Sequence, residues 1–145
     1  MWRKMLIEDI PYVYNIATDI WTIHKDSQII YENKFCSFPE GCYVYDDNAP
    51  IVADLLHSVT SPVNPIKGYI ISHPYNISYP PKINTLLPKV EINCLFIHDI
   101  VIVPEYRGRG IANEIITKIL DNNPIVSLVA CDEKKNIFGK VMDLK

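Results

Sequence analysis

The chain has 145 residues, of which 48% are hydrophobic and 21% charged, and its formal net charge is −3. That length fits one domain, 1–145, with enough chain for a real core, and no apolar run approaches the roughly 20 residues that cross a membrane, so a soluble protein is expected. The slight negative balance, without any block of Lys and Arg, argues against a nucleic-acid surface.

In chain order, Trp2 to Leu6 reads as a short opening strand. Glu8 and Asp9 then bring negative charge to a helix N-terminus, with Pro11 in its first turn and Ile10, Val13, Tyr14, Ala17 and Ile20 at helical spacing. Ser27 is a good N-cap for a second helix running to about Ser37, with Ile30, Tyr31 and Phe35 as its apolar side. Pro39-Glu40-Gly41 is a turn, and Cys42 to Tyr45 has β composition. Residues 49 to 65 suit a short helix or a strand equally. Lys67 to Ser72 is a strand, followed from His73 to Lys89 by an irregular loop carrying Pro74, Pro80, Pro81 and Pro88. This loop lies close to the next strand and is a candidate wall for a substrate. His24, His57 and His73 are expected on the surface or in loops. Glu91 either lines the cleft or is simply solvated.

Four cysteines, Cys36, Cys42, Cys94 and Cys131, show neither Cys-x-x-Cys spacing nor a histidine at zinc-ligand distance, so free buried thiols and no metal are expected. Glu8 and Asp9 stand where an apolar leader core would be, so no signal peptide is expected and a cytoplasmic, reducing setting fits.

The most informative stretch runs from Cys94 to Leu120. Cys94 to Val103 is a nearly continuous apolar run, as in a strand covered on both faces, interrupted by the polar pair His98 and Asp99. Strict strand alternation would send these two to opposite faces. Either His98 serves as a proton acceptor at a cleft, or it is a satisfied structural histidine with Asp99 accepting backbone N–H bonds at a bulge. After Gly108 and Gly110, apolar residues at Ile111, Ala112, Ile115, Ile116, Ile119 and Leu120 form one helical stripe, and Pro124 ends the helix. The glycines permit a sharp turn and close approach to a ligand, and the helix's first free N–H groups point into the loop, which makes an anion site. Rossmann and P-loop patterns fail here: there is no third glycine at the right spacing and no Gly-Lys-Ser or Gly-Lys-Thr. Ile125 to Ala130 forms a final core strand, giving a right-handed βαβ crossover.

Ile102-Val103-Pro104-Glu105-Tyr106-Arg107-Gly108-Arg109-Gly110-Ile111-Ala112 contains the Arg/Gln-x-x-Gly-x-Gly/Ala pattern and resembles the GNAT superfamily of acetyl-CoA-dependent N-acetyltransferases, most sharply over residues 94 to 131. The resemblance implies a mixed α/β (α+β) fold: a mostly antiparallel sheet with a central βαβ crossover and helices on both faces. It further implies acetyl-CoA as cosubstrate. The pyrophosphate would lie on Arg107, Gly108, Arg109, Gly110, Ile111 and Ala112, and the pantetheine would pair with Ile100, Val101 and Ile102. His98, with Asp99 beside it, corresponds to the proton acceptor that members often carry on this strand. An amine, small or protein-borne, would be the acceptor.

Members usually continue after the last strand with a helix bearing a tyrosine near the cofactor sulfur and two further strands. Here all nine tyrosines lie at or before Tyr106, and Val141 to Leu144 suggests one stub of a strand at most. The expectation is an N-acetyltransferase acting by direct attack, or alternatively a degenerate acyl-CoA-binding module. A sheet edge left bare by so short an ending would favour a homodimer.

Overall fold

Six strands run side by side in sequence order in a computed structural model of the protein, which describes residues 1–21, 26–47, 64–78, 82, 84–132 and 137–143. They are β1 (Trp2–Lys4), β2 (Cys42–Asp46), β3 (Ile66–Tyr75), β4 (Cys94–Ile102), β5 (Val126–Asp132) and β6 (Ile137–Asp143). Strands β4 and β5 are parallel, and every other described pairing is antiparallel. Among the described residues three α-helices accompany the sheet: α1 (Ile10–Ile20), α2 (Gln28–Ser37) and α3 (Ile111–Asn122).

Two apolar layers hold the sheet. On one face, Ile10, Val13, Ile16 and Ala17 of α1 and Tyr31 of α2 pack on Val44, Tyr69, Ile71 and Val101. On the other, Ile115 and Ile119 of α3 pack on Ile70, Leu95, Ile97 and Val126. A mixed sheet with a βαβ crossover and helices on both faces is therefore the observed architecture. The 3.6-residue stripes of α1 and α3 account for it, because each presents one apolar side to the sheet. The start of the chain is fixed by charge, for Arg3 makes paired bonds to Asp9 at 2.7 and 2.8 Å and a third to Asp46 at 2.9 Å, tying β1 to β2 and to the entry of α1.

Three sequence expectations change. β3 runs on through Tyr75, so His73 and Pro74 are strand residues and not loop. Pro74 is tolerated because β2 stops at the Cys42 to Ile71 pair, leaving that side of β3 without a neighbour that needs a donor. The last strand is also more than a stub, since β6 pairs with β5 from Asp143 to Ile137. Finally, Cys36 is exposed, whereas Cys42 and Cys94 are buried as expected. Of the stretch from 49 to 65, all but Asn64 and Pro65 lies outside the described residues, as do His24 and His57. Among the described residues no helix is long and apolar enough to cross a membrane, and no group of three metal-ligating side chains occurs.

Candidate active site

Strand β4 departs from regularity at His98. Ile71 is opposite Asp99 and Ser72 is opposite Ile97, so His98 is the extra residue of a bulge. The extra residue resets the alternation. Leu95 and Ile97 before it, and Ile100 after it, face α3. His98 and Asp99 both face α1 and α2, so the expectation that they point to opposite sides is corrected: one inserted residue puts both polar groups on one face.

Beyond the bulge, β4 also parts from β5. The parallel pairing covers Leu95, Phe96 and Ile97 against Val126, Ser127 and Leu128, and no register pair follows. On its other edge β4 stays paired to β3 up to Ile102. Val103 N–H donates to Lys67 O on β3 at 2.9 Å. Strand alternation then turns the N–H groups of Ile102 and Ile100 the other way, into the wedge between β4 and β5. Arg107 confirms the direction, because its Nε donates to Ile102 O at 2.8 Å. That guanidinium closes the end of β4, a role the sequence did not suggest.

The loop that follows turns sharply at two left-handed glycines. Gly108 and Gly110 have φ of +75° and +77°, and a Cβ on either would meet nothing within 4 Å. Glycine is needed there for the left-handed backbone and not to avoid the protein's own atoms. The first backbone bond of α3 is Glu114 N–H to Gly110 O at 3.1 Å, which leaves the N–H groups of Ile111, Ala112 and Asn113 directed at the loop. Trp2 Nε1 donates to Ile111 O at 2.8 Å and anchors this helix end to β1. Arg109 stacks its guanidinium 4.7 Å from the centre of the Tyr106 ring, and the Tyr106 hydroxyl donates to Asp47. Tyr106 therefore packs.

The polar groups on the bulge are held by a network that sequence reasoning missed. Asp99 Oδ2 accepts bonds from Tyr69 OH at 2.5 Å, Tyr31 OH at 3.2 Å and Trp21 Nε1 at 3.2 Å. Burial pushes the Asp99 carboxyl upward, against those three donors and the nearby His98. Burial raises the Tyr31 and Tyr69 hydroxyls as well, reinforced by Asp99. His98 Nε2 lies 2.8 Å from Asp26 Oδ2, and Lys34 Nζ lies 3.3 Å from the same oxygen. Burial alone would raise Asp26, but the bond and charge of His98, then Lys34 and the Asn84 N–H, hold it down at about 2. Burial lowers Lys34 despite its carboxylate partner. The next ring is His73, fully buried on β3, with its centre 5.8 Å from that of His98. Its placement overturns the expectation of a surface or loop histidine. The burial of Lys34 could have been noticed from its spacing with Ile30 and Tyr31 on α2, but Asp26 and His73 gave no local signal.

Comparison with known proteins now decides the family. A family model described as Acetyltransferase (GNAT) family matches residues 10–122. The chain belongs to the GNAT acetyltransferase family. No curated protein matches it in sequence. Among solved structures, the GNAT fold recurs in the NatC complex bound to Gag peptide and CoA, at 16% identity and a TM-score of 0.61, covering 93% of this chain and 76% of that one. Ard1 from Thermoplasma volcanium is similar at 16% identity and a TM-score of 0.63, covering 92% and 73%. Diaminobutyrate acetyltransferase EctA from Paenibacillus lautus, solved with L-2,4-diaminobutyric acid and coenzyme A, is similar at 15% identity and a TM-score of 0.59, covering 90% and 64%. With the GNAT family comes its cosubstrate, acetyl-CoA. The strain-free space above both glycines, the three helix N–H groups and the wedge beside Ile100 and Ile102 fit it in charge and shape.

Proposed function

We propose that this GNAT protein transfers the acetyl group of acetyl-CoA to a primary amine by direct attack. The observation that carries this reading is the bulge at His98, where β4 leaves β5 and two polar side chains come to one face beside the wedge. Acetyl-CoA supplies an acetyl thioester whose thiol, with an ordinary pKa near 8.5, can leave as thiolate without full protonation. The amides of Gly108 to Ala112 hold its pyrophosphate, with Arg109 adding positive charge at the rim. Arg107 is assigned mainly to holding the end of β4. Ile100, Val101 and Ile102 flank the pantetheine, and the N–H groups turned into the wedge stabilise charge developing on the acetyl oxygen. His98 takes the proton that an ammonium acceptor must lose before it can attack. Asp99, held by three donors on one oxygen, keeps the bulge in place.

The acceptor lies against the strand-to-strand connection. A cleft of about 870 Å³ is lined by Tyr75, Asn76, Thr85, Leu86, Lys89 and Glu91 among others, mostly from the expected wall of residues 73 to 89, and His98 and Asp99 are not part of its lining. Structural neighbours were solved with a Gag peptide and with L-2,4-diaminobutyric acid, so both peptides and small amines belong in the test. A panel of such amines, assayed by release of free thiol from acetyl-CoA, is expected to reveal at least one acceptor whose turnover falls 10² to 10⁴-fold in His98→Ala. The engagement of Asp99 by Trp21, Tyr31 and Tyr69 favours a second reading, a module that binds acyl-CoA without turning it over. Tight acetyl-CoA binding with no thiol release for any amine would select it.

A further inference from the structure

His98 and His73 each use one ring nitrogen within the protein and leave the other buried without a partner among the described residues. The tautomers follow from the partners. His98 Nε2 lies 2.8 Å from the Asp26 carboxylate and His73 Nδ1 lies 3.2 Å from the Pro74 carbonyl. Carboxylate and carbonyl oxygens only accept, so the protons sit on His98 Nε2 and His73 Nδ1. The remaining atoms, His98 Nδ1 and His73 Nε2, are both bare acceptors. Their rings are 5.8 Å apart between centres and tilted by 38°. Two acceptors cannot bond to each other, and leaving both buried without a donor is costly. A molecule with two hydrogens to give satisfies both, and water is the smallest.

We propose that Asp26, His98 and His73 form a proton relay. In it Asp26 and His73 are positioning residues: Asp26 keeps the proton of His98 on Nε2, and a water bound to His98 Nδ1 and His73 Nε2 carries the acceptor's proton to His98. This rests on the acetyl-transfer reading above. The acceptor ammonium gives one proton to the water as the water gives one of its own to His98 Nδ1. The amine lone pair then forms the C–N bond while the C–S bond breaks and its electron pair leaves with sulfur, and the proton that the acylated nitrogen must still lose goes to that thiolate, giving the thiol. The first proton stays on the imidazolium, whose Nε2–H still faces Asp26, until solvent takes it. The groups facing His98 suit this. Asp26 precedes α2 and is itself braced by Lys34 and the Asn84 N–H, Asp99 lies next on β4, and His73 faces it from β3. Burial, with His98 beside it, lowers His73 to about 4, so near neutral pH His73 remains an acceptor and does not compete for the proton.

The test uses ring ¹⁵N spectra of the full chain together with His73→Phe and His73→Gln. Phe fills the space without an acceptor, and Gln places an amide oxygen near the position of Nε2. The expected spectra show His98 protonated at Nε2 and bare at Nδ1, and His73 the reverse. A His98 proton on Nδ1 would overturn the proposal, and this readout needs no turnover. In the amine assay, His73→Phe is expected to keep acetyl-CoA affinity within about twofold and to lose about 10²-fold in turnover, the low end for a lost general base. Its rate is expected to lose the pH dependence of the unmodified protein, and Gln is expected to restore both. A Phe variant with unchanged rate and pH profile, or a Gln variant as poor as Phe, would overturn the relay. Absence of turnover in the unmodified protein would overturn the acetyl-transfer reading instead, and the ring spectra would still decide the site.

Discussion

Removing Asp26 should be far more damaging than removing the lysine it pairs with. Lys34 is 0% exposed, and its ammonium reaches one described carboxylate, Asp26, at 3.3 Å. In Asp26→Ala that ammonium stays buried with no described carboxylate in contact and only the charge of Asp99 nearby, which costs about 3 to 5 kcal/mol. In Lys34→Met the carboxylate keeps His98 at 2.8 Å and the Asn84 N–H at 2.5 Å, while an apolar chain fills the space. The loss is then about 1 kcal/mol or less. The double variant should recover most of the difference. For a chain of this size, roughly 3 °C in melting temperature accompanies each kcal/mol. Asp26→Ala should therefore melt about 10 to 15 °C below the unmodified protein, and Lys34→Met within about 3 °C. Acid adds a second signature. The Asp26 carboxyl is held at about 2 against an ordinary 3.8. A depressed carboxyl stabilises the fold above its unfolded value and stops doing so as pH falls toward 2. The difference of just under two units is about 2 kcal/mol. Thermal and urea unfolding of the four proteins between pH 2 and 7 measures all of this. Equal losses in the two single variants, or no recovery in the double, would refute the reasoning.

Gly110→Ala should cost about 1 kcal/mol through its left-handed backbone alone, because no atom lies within 4 Å of the new Cβ; urea unfolding reads the loss. Gly41→Ala should cost more, about 1 to 3 kcal/mol, since its Cβ would meet Ser72 Oγ at 2.5 Å and Phe38 Cδ1 at 2.7 Å; a melting temperature equal to that of the unmodified protein would contradict this. Among Cys36, Cys42 and Cys94, thiol labelling followed by peptide mass mapping should modify Cys36 in the native protein and the other two only after unfolding, as burial also pushes Cys42 up to about 12.

The elements legible in the sequence were those with strong local signals. Helices α1 and α3 declared themselves by period, β4 by its nearly continuous apolar run, and the loop at Gly108 and Gly110 by spacing. What escaped depended on contacts between distant segments. The register shift at His98 is set by pairing with Ile71 and Ser72, about 26 residues earlier, and no local pattern announces an inserted residue. His73 sits beside a proline, which read as loop, yet the early stop of β2 lets that proline stay in a strand. Asp26 and Lys34 look like solvated charges until His98, from the other half of the chain, joins Lys34 on the same Asp26 oxygen. Both chemistry-bearing residues named from sequence, His98 and Asp99, do come together, but through a bulge and not through simple alternation.

Titration calorimetry of acetyl-CoA into the unmodified chain and into Gly110→Glu tests the central claim most directly. The unmodified protein should bind with a dissociation constant on the order of micromolar, and at about 100 times that concentration the ligand should add roughly 2.7 kcal/mol of stability. Gly110→Glu places a carboxylate where the pyrophosphate is expected, so it should remain folded and bind at least about 100-fold more weakly. No heat of binding to the unmodified chain, or equal affinity in the variant, would contradict the assignment of the loop after β4 as the cofactor site.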